Sequence, residues 1–408
     1  MSEFTNGSHC WQHATLGEAI ERIETGVSPR TLDRPVLHGE MGVLKVSAVT
    51  WGTFRPEENK ALPTDFDVTG IPTVRKGDLL LSRANTAELL ASPVIAKKDY
   101  PNLILSDKTL RLVPVRGVSD PRFLFYGLRQ PEARRFFFAN ATGTSGSMRN
   151  VSQATIRRCP IPLPPLSEQK RIADILDKAD AIVRKRQVLL SDARRLTSSI
   201  FQRMFFATHT CPKGRLGDYT TKITSGSTPL GGRNVYLDEG PVMLVRSQNI
   251  LMNRLDLSDV AYISEELNQQ MERSVVHQHD VLLNITGASI GRVARFPFSD
   301  RRANVNQHVC IIRCDSKRLN PVFVEQFLST TIVQSDINNR HQRGGTRQAL
   351  TFSQIADFQI PIPSPDLQKK YEGAVDQTTK LIERLSDAIG EALSLFNSLV
   401  QRAFKREL

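Results

Sequence analysis

The sequence predicts an α+β chain in which two similar globular domains are separated by two long antiparallel coiled-coil helices, as a pseudo-two-fold internal repeat. Three observations predict it. The chain is written twice, at an offset of about 200 residues. Each copy opens with short β-rich runs broken by turns, and each closes on a helix of sustained heptad spacing.

The duplication rests on six collinear matches. Leu16-Gly17-Glu18 returns as Leu216-Gly217-Asp218, and Thr25-Gly26-Val27-Ser28-Pro29 as Ser225-Gly226-Ser227-Thr228-Pro229. Leu44-Lys45-Val46-Ser47 corresponds to Leu244-Val245-Arg246-Ser247, and Gly77-Asp78-Leu79-Leu80-Leu81 to His279-Asp280-Val281-Leu282-Leu283. Pro160-Ile161-Pro162-Leu163-Pro164 matches Pro361-Ile362-Pro363-Ser364-Pro365. Ser199-Ile200-Phe201-Gln202-Arg203-Met204-Phe205 matches Ser398-Leu399-Val400-Gln401-Arg402-Ala403-Phe404.

Four segments follow. Residues 1–165 form a first globular domain, 166–207 a central helical arm, 208–365 a second globular domain and 366–408 a C-terminal helical arm. Within the globular parts, Val43–Val49, Asp78–Ser82, Asp280–Ile285 and Val309–Arg313 read as strands, whereas Arg122–Phe138 and Pro321–Asn338 read as helical. In the central arm, Ile172, Leu176, Ala179, Val183, Leu190, Ala193, Ile200 and Met204 recur in steps of four and three, interrupted at Arg186 and Thr197. Leu367, Tyr371, Ala374, Leu381, Leu385, Ala388, Ala392, Leu395 and Leu399 do the same in the last arm, with a break at Thr378. This is the spacing of a seam against a partner helix. Ser167 and Asp366 stand where N-caps belong, beside Pro165 and Pro365. Like halves pack about an approximate two-fold axis, which sets the exchanged helices antiparallel.

Composition narrows the partners. The net charge of +12 and pI of about 9.6 favour a polyanion, because surface Lys and Arg release counterions condensed on nucleic acid. The excess is about +5, +4 and +3 over the first three segments and zero over the last, which suits an arm that packs against protein. No stretch approaches the roughly 18–20 apolar residues of a membrane span, and Met1–Gly17 has no apolar core of a signal peptide. Five scattered cysteines without a CxxC pair fit a reduced, cytoplasmic compartment.

The run Ile161-Pro162-Leu163-Pro164-Pro165-Leu166-Ser167-Glu168-Gln169-Lys170-Arg171-Ile172, with the long helix after it, resembles the junction of type I restriction–modification specificity subunits. Asp280-Val281-Leu282-Leu283-Asn284-Ile285-Thr286-Gly287-Ala288-Ser289-Ile290-Gly291-Arg292-Val293 and Asn306-Gln307-His308-Val309 are similar to that family's recognition domains. The chain departs from the pattern at its second junction, Pro365-Asp366-Leu367-Gln368-Lys369-Lys370, which lacks the Glu-Gln pair. It departs again at Ser82-Arg83-Ala84-Asn85-Thr86, which stands in place of the Gly-rich run. The resemblance implies two target-recognition domains, each reading one half of an asymmetric bipartite DNA sequence. It further implies helical arms that dock two methyltransferase subunits, with restriction (motor) subunits joining the complex. The cofactors S-adenosylmethionine, ATP and Mg²⁺ would then sit in those partners and none in this chain.

Candidate DNA contacts follow from residue chemistry. Two equivalent loops, Thr142 to Asn150 and Arg343 to Gln348, offer glycines for close approach to a phosphate, hydroxyls as donors and arginines as charge. From them we take Thr144, Ser147, Arg149 and Asn150, and Thr346, Arg347 and Gln348. Arginine also suits guanine O6/N7, and Asn or Gln suits adenine N6/N7. Arg292 and Arg295 lie beyond the Gly-rich run, which is either a phosphate-approaching loop or a plain turn, and is no Walker A. Arg246 and Gln248, with Lys45 and Ser47 opposite them in the repeat, face either a DNA groove or solvent.

Other signals count for less. His9, Cys10 and His13 lack further ligands at useful spacing for a metal. His277 and His279 read as strand-flanking polar residues, Cys310 and Cys314 as core or edge thiols, and Phe136-Phe137-Phe138 as core. Two competing classes remain: a self-contained DNA modification enzyme or nuclease, and a coiled-coil adaptor without a DNA role. The first is disfavoured by the lack of an Asn/Asp-Pro-Pro-Tyr/Phe motif, a GxGxxG or a nucleophile–base constellation, and the second by the basic excess and the Gly/Arg loops.

Overall fold

The computed structural model describes residues 11–143, 148–207, 211–229, 231–342 and 349–408. The chain divides into two compact units: residues 1–185 with 389–408, and residues 186–388.

The two units share the order of their two four-stranded sheets. In the first, Ile20–Thr25, Thr109–Pro114, Leu79–Ser82 and Pro93–Ile95 form an antiparallel sheet in that order. In the second, Thr220–Ser225, Val309–Cys314, Val281–Asn284 and Val293–Arg295 do so. A second sheet is mixed in both. Gly42–Leu44 runs parallel to Tyr100–Ile104, and Val242–Val245 runs parallel to Ala303–Val305. Alternate residues of the antiparallel sheets serve two cores. Leu79, Leu81, Leu110 and Leu112 face the first unit's helices, whereas Leu80 joins Leu44, Val94 and Leu105 beneath the mixed sheet. Val281 and Leu283 against Leu282 divide in the same way.

Two glycines show why the matched motifs persist. A Cβ on Gly26 would come within 1.6 Å of the Leu105 carbonyl oxygen, and one on Gly226 within 1.7 Å of that of Val305. Backbone cannot yield there, so only glycine fits.

The strand and helix readings shift at their ends. Val43–Val49 becomes a strand, Gly42–Leu44, followed by a tight helical turn, Val46–Val49. The helical stretches each split in two: Pro121–Leu128 and Pro131–Ala139, then Pro321–Leu328 and Thr331–Gln342. Pro131 ends the first of these, since a proline disfavours helix in the residue before it. Asp120 and Asn320 cap the helices that open on Pro121 and Pro321.

The long helices run from Leu166 to Gln202 and from Pro365 to Lys405. They begin earlier than the cap reading placed them. Ser167 and Asp366 lie inside the first turn, and Ser364 Oγ accepts from the Leu367 amide. In the second unit the Arg186 guanidinium donates to the Ala388 carbonyl, and Phe201 lies 5.3 Å from Tyr371. Partner numbers fall as the others rise, so the helices are antiparallel there. In the first unit, Phe404 stacks on Phe123 at 5.2 Å and Arg171 donates to the Leu408 carbonyl at 3.1 Å. Each unit therefore holds the start of the helix that leaves it and the end of the other helix.

The seam follows the heptads through the first helix, where Ile172, Leu176, Val183 and Ala193 are buried. Arg186, an interruption in the reading, lies on the seam. The second helix corrects the pattern. Thr378 is buried, with its hydroxyl donating to the Ala374 carbonyl at 2.8 Å, whereas Leu381 and Leu395 are 43% and 60% exposed. Ile382 and Phe396 take their places, because the step after 378 and after 392 is four residues, not three. No helix among the described residues is long and apolar enough to cross a membrane.

Candidate nucleic-acid interface

The Gly-rich run folds as the turn between Val281–Asn284 and Val293–Arg295. Gly287 and Gly291 take φ of +72° and +85°, the left-handed region that favours glycine. Behind the turn, the buried Asn284 side chain donates to the Ser247 carbonyl at 2.8 Å and to Ser289 Oγ at 3.1 Å. The turn is thereby tied to the segment carrying Arg246 and Gln248. Thr286 Oγ1 lies 2.6 Å from His308 Nδ1, and Gln307 Nε2 lies 2.9 Å from His308 Nε2. Gly287, Ala288 and Arg292 are exposed around them.

The predicted contacts fare differently. Lys45 and Ser47 converge on Glu58, at 3.5 and 2.8 Å. Arg246 donates to the Asp259 carbonyl at 2.8 Å, and Gln248 to the Asp259 carboxylate at 2.5 Å. In both units the polar pair meets an acidic residue, while Gln248 stays exposed. The Ser47 hydroxyl holds Glu58 below the usual carboxylate range. An arriving phosphate must displace these carboxylates or be repelled by them.

Arg295 is occupied within its own unit, 3.6 Å from Glu325 and 3.1 Å from His279 Nδ1. Burial pushes Glu325 above its ordinary value, against the pull of Arg295, and burial together with Arg295 lowers His279. Arg149 lies with its guanidinium carbon 4.7 Å over the Phe138 ring. Asn150 exchanges backbone hydrogen bonds with Thr142. Arg292 is exposed and makes no ion pair among the described residues. Thr144, Ser147, Thr346, Arg347 and Gln348 lie outside the described residues, as do His9 and Cys10.

Of the discounted residues, Cys310 and Cys314 are buried in one strand, and burial pushes both thiols up to about 12. Phe137 is wholly buried, but Phe138 is half exposed beneath Arg149, so the triplet is not uniformly core. His279, at φ +71°, occupies the position of Gly77 at +87°.

Sequence reasoning missed two features. The first is Gln368, which restores the missing junction pair in substance. Gln169 Oε1 accepts from the Asp120 amide at 2.9 Å while its nitrogen donates to the Val118 and Pro164 carbonyls. Gln368 accepts from Asn320 at 2.7 Å and donates to Arg318 and Pro363. The structure matches Pro164 to Pro363, two residues off the sequence match, and a Gln five residues after each was the available signal. The second is the joining of Thr286 to His308 across the sheet, which no local spacing reveals.

The comparisons bear on the whole chain. The family model of the type I restriction modification DNA specificity domain matches residues 72–190 and 222–391. The chain is similar to the type I restriction enzyme EcoBI specificity subunit of Escherichia coli, 25% identical over 314 residues. That match covers 67% of this chain and 66% of the relative, just under two thirds of its length. It is also similar to the MjaVIII specificity subunit of Methanocaldococcus jannaschii, 21% identical over 91% of this chain and 87% of that one. Among solved structures it shares the fold of a type I restriction–modification system S subunit from M. genitalium, with TM-score 0.60 and 14% identity over 98% of this chain and 97% of that one. With both of its repeats matched over well more than half its length, the chain belongs to the family of type I restriction–modification specificity subunits.

Proposed function

We propose that this chain is the non-catalytic, sequence-specific DNA-binding subunit of a type I restriction–modification complex in the cytoplasm. Each unit reads one half of an asymmetric bipartite target. The long helices carry two methyltransferase subunits, and restriction subunits join them. S-adenosylmethionine, ATP and Mg²⁺ are assigned to those partners. This chain's part is to bind DNA and set the register in which the partners act.

The observation that carries this reading is the contrast between framework and surface in the repeat. Buried positions recur with the same partners: Gly26 and Gly226, Gln169 and Gln368, Asp120 and Asn320. The positions around the second unit's exposed turn do not. Ala84, which is buried, and the half-buried Asp107 and Lys108 stand where the half-buried Thr286, Gln307 and His308 stand in the second unit. The correspondence is set by the backbone, since the Arg83 amide bonds to the Lys108 carbonyl as Ile285 bonds to His308. Like scaffolds with unlike surfaces suit the reading of two unlike half-sites.

The test is selection of bound duplexes from a random-sequence pool by the full chain, with and without a methyltransferase from a similar system, followed by sequencing across a salt series. The expected result is an enriched motif of two separated words, with affinity falling steeply as salt rises. Equal binding of all duplexes would overturn the proposal.

A further inference from the structure

Resting on that reading, we infer that the Thr286 hydroxyl is a specificity-determining donor of the second unit, presented to a hydrogen-bond acceptor on DNA by a chain running Gln307–His308–Thr286. The direction of the chain follows from its atoms. Gln307 Nε2, an amide nitrogen, can only donate, so His308 Nε2 at 2.9 Å accepts. A neutral imidazole that accepts at Nε2 carries its proton on Nδ1. That proton points at Thr286 Oγ1, 2.6 Å away. The Thr286 oxygen is thereby used as an acceptor, and its own hydrogen is left to donate outward. The backbone around His308 is pinned, with its amide donating to Asn306 Oδ1 at 3.2 Å and its carbonyl accepting from Ile285 at 3.0 Å.

The location suits a reader. Thr286 is half-buried and opens the turn whose next two residues, Gly287 and Ala288, are exposed, and a Cβ on Gly287 would meet nothing within 4 Å. At the equivalent place the first unit has Ala84, without a hydroxyl, and an Asp107–Lys108 ion pair at 3.4 Å. Ala84 is buried in a strand, whereas Thr286 opens a turn, so the two units differ in hydrogen-bonding chemistry at this place. A single outward donor selects acceptors: a phosphate oxygen, or guanine O6/N7 or thymine O4 on a base edge.

The experiment compares the wild-type chain with Thr286→Val, Thr286→Ser and His308→Phe in the random-duplex selection, with thermal melting as the check on folding. If the acceptor is a base, Val and Phe relax one position of one half-site by roughly ten- to hundredfold, and Ser keeps the preference. If it is a phosphate, the same two variants weaken all duplexes alike and leave the salt slope unchanged, since a hydroxyl carries no charge, and the specificity-determining role is overturned. Should Thr286→Val fail to fold, His308→Phe reads the same step. The inference fails if the wild type enriches a two-word motif and folded variants bind it with unchanged affinity and selectivity. A wild type that enriches nothing would instead remove the proposed function beneath it.

Discussion

Gln368 does for the second unit what Gln169 does for the first: each lies buried at the start of a long helix and hydrogen-bonds the capping residue of a shorter one. The long helix is thus keyed to its globular domain through three hydrogen bonds from one amide, of which the one donated to Pro164 or Pro363 is buried. Replacing either Gln by Ala leaves those groups unpaired. We expect a loss of about 2–4 kcal/mol in the affected unit, seen as a lower melting temperature. A change within experimental error would show that the keying is not structural.

The part-buried Arg295–Glu325 pair sits where the first unit has Ile95 and Phe125, on the equivalent strand and helix. Removing one partner strands a charge, so Glu325→Phe alone should cost about 3–5 kcal/mol. The double variant Arg295→Ile with Glu325→Phe copies the first unit's apolar solution and should be neutral or stabilising. The pH dependence has a definite sign. Because burial raises the Glu325 pKa above its unfolded value, the native state holds this proton more tightly. Its contribution is then greatest below the unfolded pKa and declines as pH rises towards the folded one. The double variant should lose that decline, which urea unfolding between pH 4 and 8 would measure.

The seam separates two neighbouring apolar residues by context. Leu395 is 60% exposed and its neighbour Phe396 packs towards Tyr126, with ring centroids 6.3 Å apart. Leu395→Ala should change stability by less than about 0.5 kcal/mol, whereas Phe396→Ala should cost about 2 kcal/mol. The reverse order would restore the heptad reading of the sequence.

Arg347 carries the prediction for the second loop. Replacing it by Ala should weaken binding or relax selectivity at one half-site and leave the other unchanged, as measured by selection from the random pool. Equal loss at both half-sites would reject the assignment.

How far the sequence is legible depends on the range of the interaction. The repeat, the heptad helices and the α+β units could be read because apolar periodicity and matched glycines are local signals, as at Gly26 and Gly226. Phase within a helix was harder. A polar residue such as Thr378 or Arg186 looks like a break in a pattern but satisfies itself on a carbonyl, so the seam passes through it. The interface was the least legible. Arg246 and Arg295 have the right chemistry for DNA, but the fold brings Asp259 and Glu325 against them from 13 and 30 residues away. Thr286 and His308 meet at a separation of 22 residues, across a strand pair.

The central claim is that each unit reads its own word. Its most direct measurement is the enriched motif of a chain in which residues 222–360 are exchanged for the matching segment of another family member. One word should change while the other, and the discrimination at it, stay as in the parent chain. A swap that alters both words, or neither, would contradict the account.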